Sequence, residues 1–168
     1  MALVLNTNSY VTITDAETYF ETRIDAAKWN TAAESLKEEA IVTATQIIDN
    51  NPWIGSAISS SQALAWPRKN AMYYDPRMGF TVTFTNSEIP SLVKIAVYEQ
   101  ALHLLNNEDL LAQTTQTYES ISIGNISLSD SNNDVTRISI TPSFVMKPLR
   151  PLIRRGSQGQ GSAWWRAN

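Results

Sequence analysis

No cysteine occurs among the 168 residues, so disulfides, thiolate metal sites and cysteine nucleophiles are excluded. A chain without thiols also suits assembly in a reducing cytoplasm. There is one histidine, His103, set between Leu102 and Leu104 in a helical pattern. A lone histidine of that kind is more often a packed side chain than a base or a ligand. No HExxH pair, GxSxG elbow or phosphate-cradling glycine loop is present. Three of the six glycines fall in GSQGQG (Gly156, Gly159, Gly161), which lacks the preceding strand and following helix of a dinucleotide site and reads as a flexible linker. The adjacent acidic pairs Glu38-Glu39 and Glu108-Asp109 point to different sides of a helix and make poor catalytic dyads. An enzyme is therefore not expected, nor is a cofactor or a metal. MALVLNTNSYVTIT has no basic residue ahead of its short apolar run, unlike a signal peptide. No apolar run nears the roughly 20 residues that span a bilayer, so no membrane partner is expected.

A general basic excess is missing too. The net charge is −3 and the pI about 5.1, so affinity for phosphate cannot be a property of the whole surface. The imbalance is local. From Met146 to Asn168 the chain reads MKPLRPLIRRGSQGQGSAWWRAN, with five cations and no acid, while all 16 Asp and Glu lie before it. This segment is rich in Pro, Gly and Ser and closes on Trp164-Trp165 with no local core for two indoles. It reads as an extended docking tail, residues 146–168, behind a body of residues 1–145. Its partner-binding candidates are Lys147, Arg150, Leu152, Ile153, Arg154, Arg155, Trp164, Trp165 and Arg166, because Trp and Arg dominate binding hot spots.

Hydrophobic residues make up 43% of the chain, enough for one core, and their spacing predicts three main helices. Tyr10 to Thr14 alternates as a short extended arm. Thr14 with Glu17 forms a capping box for a helix to about Trp29, with Ala16, Tyr19, Phe20, Arg23 and Ala27 on one stripe. A second helix starts at Thr31/Glu34 or Ser35/Glu38 and carries Ala40, Ile41, Ala44, Ile47 and Ile48 to a stop at Asn50-Asn51-Pro52. Pro52 to Ser87 is irregular, with a short helix at Ser59 to Ala65 and a brief strand at Thr81 to Thr85; connections this long are often functional. The third helix is capped by Ser87, holds Pro90 in its first turn, and presents Val93, Ala96, Val97, Ala101, Leu104 and Leu105. Glu108 to Gln113 adds a turn. Tyr118 to Leu128 and Val135 to Thr141 alternate with period two, giving a β-hairpin over about 118–141. The expected class is mainly α: a small bundle of three main helices with a β-hairpin insertion and extended N- and C-terminal arms. Within Trp66-Pro67-Arg68-Lys69, the Trp and cations form either a peptide or phosphate contact, or a plug in the helical body with Arg68 paired to a carboxylate.

The chain resembles a known family over roughly Tyr10 to Leu152. YVTITDAETYF (Tyr10–Phe20), Trp29, KEEAIVTATQIID (Lys37–Asp49), Pro52-Trp53 with Gly55, QALAWPR (Gln62–Arg68) and Glu88-Ile89-Pro90 carry the likeness. Glu99, Ala101, Leu104, and Val145, Leu149, Pro151 and Leu152 extend it. This is similar to tailed-phage head-tail connector proteins (adaptor, or head-completion, proteins), also labelled as like the primosomal DnaT single-stranded-DNA-binding protein. The resemblance implies a structural virion protein at the neck, assembled in the host cytoplasm: a homo-oligomeric ring of twelve copies beneath the portal protein, joined to a tail or tail-tube protein, with genomic DNA passing through the lumen without specific binding. The alternative is a single-stranded-DNA-binding module of a phage replication system, in which Trp and Arg hold a strand by stacking and charge.

Overall fold

Thr12, not Thr14, starts the first helix. Its hydroxyl accepts the Asp15 N–H at 3.1 Å, and the Asp15 carboxylate accepts the Thr12 N–H at 3.3 Å, a reciprocal cap two residues upstream of the expected one. The structure is a computed structural model that describes residues 2–107, 120–123, 126–129 and 140–154. Helix α1 spans Ile13–Phe20 and α2 spans Ala27–Thr31, so the single helix expected up to Trp29 is broken. Aromatic packing breaks it. A continuous helix would hold Phe20 and Trp29 about 13 Å apart along its axis, whereas the break brings their ring centroids to 4.7 Å. Tyr10 and Val11, expected in an extended arm, are fully buried.

Helix α3 (Glu34–Asp49) begins on Ala33 and uses neither expected capping box. It buries Ala40, Ile41, Ala44 and Ile48 and half-buries Ile47. It stops where the sequence predicts, as the Asn50 and Asn51 amides donate to the carbonyls of Gln46 (3.0 Å) and Ile48 (2.8 Å). Helix α4 (Ser91–Asn106) starts after Pro90 rather than at Ser87. It is buried nearly all round, Tyr98, Glu99, Gln100 and Leu102 included, because α3, α2 and α5 (Ser143–Leu149) all pack against it. A helix enclosed in this way forms the centre of the core.

The expected class is corrected here. Instead of a three-helix bundle with one hairpin, the described residues form five helices and three two-stranded antiparallel ribbons, a mixed α and β architecture. The ribbons are β1 (Ser56–Ala57) with β2 (Arg68–Lys69), β3 (Met72–Asp75) with β4 (Phe80–Thr83), and β5 (Ser120–Ile123) with β6 (Ile126–Ser129). The short helix expected at Ser59 to Ala65 does not form. The Gln62 side chain accepts from the N–H groups of Ile58 and Ser59 and donates to the carbonyls of Leu64 and Ala65, and such local bonds compete with a helical ladder. In the late hairpin Ile123 pairs with Ile126, in line with the turn that the sequence also allows at Gly124-Asn125, so both strands fall near the Tyr118 to Leu128 run rather than on either side of the Asp130 to Asp134 loop. The expected extra turn at Glu108 to Gln113 and positions 135–139 of the expected partner strand lie outside the described residues.

Helix α5 replaces the start of the expected tail. Val145, Leu149 and Leu152 recur at i, i+4 and i+7, the spacing of one helical face, and all three are fully buried. A 3-10 turn, Arg150–Leu152, then leads into a short pairing with the segment after α3. Ile54 N–H donates to the Leu152 carbonyl (2.9 Å), Arg154 N–H donates to the Pro52 carbonyl (2.6 Å), and Trp53 bridges Ile153. Nearby, Gly55 sits at φ +71, where a Cβ would lie 2.7 Å from the Lys69 carbonyl oxygen, so both backbone conformation and space demand glycine.

Candidate docking surface

The sequence DPRMGF builds a self-contained turn between β3 and β4. Pro76 presets the first turn position. The Asp75 carbonyl accepts from the N–H groups of Met78 (3.2 Å) and Gly79 (2.9 Å), and Gly79 takes the left-handed conformation at φ +74. The Asp75 carboxylate accepts the Arg77 N–H at 2.9 Å and Arg77 Nη2 at 3.0 Å. These bonds, the guanidinium first and the backbone N–H next, hold the Asp75 carboxyl below its usual value of 3.8. A depressed carboxyl pKa means the turn gains stability above pH 3.8 and loses it as pH falls through the lower folded-state value. Acidification below about pH 4 is therefore expected to lower the protection of the Met78 and Gly79 amides, relative to the unstructured chain at the same pH, before the core opens, and Asp75→Asn should flatten that response. Protection at these amides that stays constant down to about pH 2 in the native chain would contradict the assignment.

Residues directly opposite on paired strands share a face. Tyr73 and Val82 face inward, and the Tyr73 ring stacks on Phe84 with centroids 5.7 Å apart. Met72 with Thr83 and Tyr74 with Thr81 form the outer face. Met72, Tyr74, Met78 and Phe80 are each more than half exposed. A cluster of this kind marks an interaction surface. The sequence reading noted the bulk of Tyr74 and Phe80 but assigned none of the four a role, because apart from a short helix and a brief strand at Thr81 to Thr85 it treated Pro52 to Ser87 as irregular. The signal was available in the DPRMG turn flanked by two short alternating runs.

The tail candidates divide. Lys147 and Arg150 are exposed on α5 and the turn after it. Leu152 is completely buried in its own core and Ile153 half-buried against Trp53, so neither side chain is presented to a partner. Arg154 is exposed with its backbone N–H tied to Pro52. Arg155, Trp164, Trp165 and Arg166 lie outside the described residues. The chain from Met146 to Arg154 is thus packed on its own body, whereas the sequence reading placed the start of a free tail at Met146.

Trp66 is the plug, not a surface contact. It is 2% exposed and meets Trp53 and Phe84 edge-on at 5.8 and 5.7 Å, and the peptide before Pro67 is cis. Among the described residues Arg68 pairs with no carboxylate; its guanidinium donates to the carbonyls of Ile54 (2.7 Å), Ala65 (3.1 Å) and Gly55 (3.2 Å). Burial pushes its pKa down from the usual arginine value. Around this plug the separated motifs of the resemblance meet. The Tyr10 hydroxyl donates to Asp49 Oδ1 and accepts the Trp66 N–H at 3.0 Å; Ala65 N–H donates to the same Asp49 oxygen at 2.8 Å; Trp53 Nε1 donates to the Asp49 carbonyl at 3.0 Å. Burial, then the bond to Asp49, drives the Tyr10 phenol pKa well above its usual value. These residues are therefore structural.

A second feature is an open groove of about 500 Å³ between α4, α5 and the α1–α2 connection. Ile95, Leu102, Phe144 and Pro148 form its apolar wall, with His103 beside the Phe144 ring. At its polar end Glu99 accepts from both Tyr19 and Arg23, and Arg23 also reaches Asp25 at 2.9 Å. Burial and the bond to Glu99 raise the Tyr19 phenol to about 12. Arg23 and Tyr19 are thus both matched to carboxylates. Among the described residues no group of three or more His, Asp or Glu is close enough to hold a metal.

A family model described as "Putative DnaT-like ssDNA binding protein" matches residues 2–167. No curated protein and no solved structure matches the chain.

Proposed function

We propose that this chain, which belongs to the DnaT-like ssDNA binding protein family, acts by binding rather than by catalysis, and that its ligand is protein: a head-tail adaptor placed in a ring between a portal and a tail or tail tube at the neck of a tailed phage. One observation carries this reading. The β3–β4 hairpin sets Met72 and Tyr74 on its outer face, Met78 in its turn and Phe80 opposite Asp75, each in solvent, while the guanidinium at its tip, Arg77, is already bound by Asp75. An apolar surface with its tip charge neutralised suits a protein partner, whereas phosphate binding draws its free energy from uncompensated cations. The net charge of −3 argues the same way. The motif resemblance to connector proteins supplies the neck as location, with DNA passing the ring unbound.

Single-stranded DNA binding is the second reading. The family description favours it, and nothing in the comparisons speaks for an adaptor. Tyr74 and Phe80 would then stack bases, with Lys69 and the cations after Met146 on the phosphates. The two readings separate in one experiment, using fluorescence anisotropy with labelled oligo-dT at about 50 and 200 mM salt and co-purification with a portal ring. The adaptor reading expects portal binding and no micromolar DNA affinity at the higher salt. Micromolar binding that survives there and is lost in Tyr74→Ala/Phe80→Ala would overturn it in favour of DNA.

A further inference from the structure

We propose that the outer edge of β4 pairs, antiparallel and about a two-fold axis through Val82, with β4 of a second copy. This goes beyond the adaptor reading and does not depend on it, because a two-fold contact is not one of the repeating contacts of a ring.

The bonding pattern of the ribbon defines the open edge. Phe84 N–H donates to the Ala71 carbonyl (3.0 Å), and Met72 lies opposite Thr83. Bonded and non-bonded pairs alternate along an antiparallel ladder, so Phe80, Val82 and Phe84 turn their backbone groups toward β3. Thr81 and Thr83 turn theirs away from it. Among the described residues no strand or backbone group pairs with that edge. The opposite edge of the ribbon, along β3, lies against the 3-10 turn Arg150–Leu152. Natural edge strands are blunted by a Lys, a Pro or a bulge. This one has none of them: the register runs unbroken from Met72↔Thr83 to Asp75↔Phe80, and Met78 to Ser87 holds no charged residue and no proline. Phe, Thr and Val also favour extended backbone. An edge of this kind is a template for strand addition.

The order of residues identifies the strand that adds. Phe80-Thr81-Val82-Thr83-Phe84 reads the same in both directions. Laid antiparallel on itself with Val82 on the axis, it sets Thr81 opposite Thr83 of the second copy, and Thr83 opposite Thr81. These are the residues whose N–H and carbonyl groups point outward, so both pairs exchange both of their main-chain bonds. A slip of one residue would set outward groups against groups already committed to β3. Val82 meets its own counterpart as a close, non-bonded pair, and Phe80 comes opposite Phe84. That covers Phe80, which is 53% exposed although its register puts it on the same side of the ribbon as Tyr73 and Val82. Met72 and Tyr74 stay free on the other face. Five residues a side cover less than the roughly 800 Å² per partner of a permanent interface, so the pairing is reversible and its strength comes from main-chain bonds.

The chain has no cysteine, so single substitutions in the full chain report the register. Opposed residues lie about 4.5–5.5 Å apart between Cα atoms, within disulfide reach, whereas one strand across and two residues along is about 8 Å, beyond it. With oxidised glutathione at about 100 µM protein, Val82→Cys is expected to give a disulfide dimer at a yield about tenfold above Thr81→Cys or Thr83→Cys alone. A mixture of those two is expected to couple where neither does by itself. Equal self-coupling of all three would show random collision, and no coupling of Val82→Cys or of the mixture would show an edge that stays open; either overturns the proposal. The native chain gives a second reading by NMR amide exchange, since Val82 is half-buried. Protection of Thr81 and Thr83 should rise several-fold between about 10 µM and 1 mM protein, while Val82, bonded to Tyr73, does not change. Protection independent of concentration would overturn the pairing, and if it is high already in dilute solution it would assign the edge to another segment of the same chain. Neither measurement involves a portal, so portal binding tells on the adaptor reading alone.

Discussion

Replacing Trp66 by alanine is expected to lower the unfolding free energy by about 3–5 kcal/mol, the range for emptying a buried Trp or Phe site. The site cannot collapse easily. Trp66 is wedged between Trp53 and Phe84, and its backbone N–H is fixed to the Tyr10 hydroxyl. That hydroxyl is in turn fixed to Asp49, which also holds Ala65. Shifting the Trp66 backbone to fill the hole would break these bonds, and each buried donor left without an acceptor costs about 1–3 kcal/mol. The indole Nε1 finds no partner among the described residues, so Trp66 supplies bulk and ring contact rather than a polar handle. Trp66→Phe should therefore cost clearly less than Trp66→Ala. Urea unfolding measures both. A Trp66→Ala loss under about 1 kcal/mol would show that the plug is not a core element.

The second large effect is expected at Leu152. Leu152→Ala should cost about 2–5 kcal/mol, whereas Arg150→Ala, two residues before it and exposed, should stay within about 0.5 kcal/mol. Leu152 is fully buried beside Leu149 and Val145, and its carbonyl accepts from Ile54. The substitution empties a pocket between α5 and the segment after α3, two pieces about a hundred residues apart in sequence. Equal, small losses at both positions would mean that the chain after α5 does not hold the fold.

These two sites show where sequence pattern was enough and where it was not. The faces of α3 and α4 were legible because Ala40, Ile41, Ala44 and Ile48, and Val93, Ala96, Val97 and Ala101, repeat at helical spacing and then bury as spacing dictates. The stop at Asn50-Asn51 was legible for the same local reason. The same rule would have found α5, since Val145, Leu149 and Leu152 fall on one helical face. Pro148 and the charge of the segment drew attention to a tail instead. The break between α1 and α2 carried no local signal: no Pro or Gly interrupts Ile13 to Thr31, and it lets Phe20 and Trp29 pack ring against ring at a tilt. The ribbon β1–β2 and strand β3 were missed because strands of two to four residues are too short for a period to emerge, whereas the brief strand expected at Thr81 to Thr85 overlaps β4.

The sequence by itself excluded disulfides, thiolate metal sites and cysteine nucleophiles, through the missing cysteine. It also set which helical faces turn inward and which motifs tie it to its family, because periodicity and composition are local properties of the chain. Only the tertiary structure decided what those motifs do. Tyr10, Asp49, Trp53 and Trp66 lie far apart in sequence, and their roles as one hydrogen-bonded plug depend on bonds that form only when α3, the loop after it and the N-terminal segment pack together. It also decided which apolar residues remain outside. Exposure at Met72 and Tyr74 follows from the side of the hairpin that Tyr73 and Phe84 hold against the core, whereas Met78 and Phe80 are exposed at its turn end.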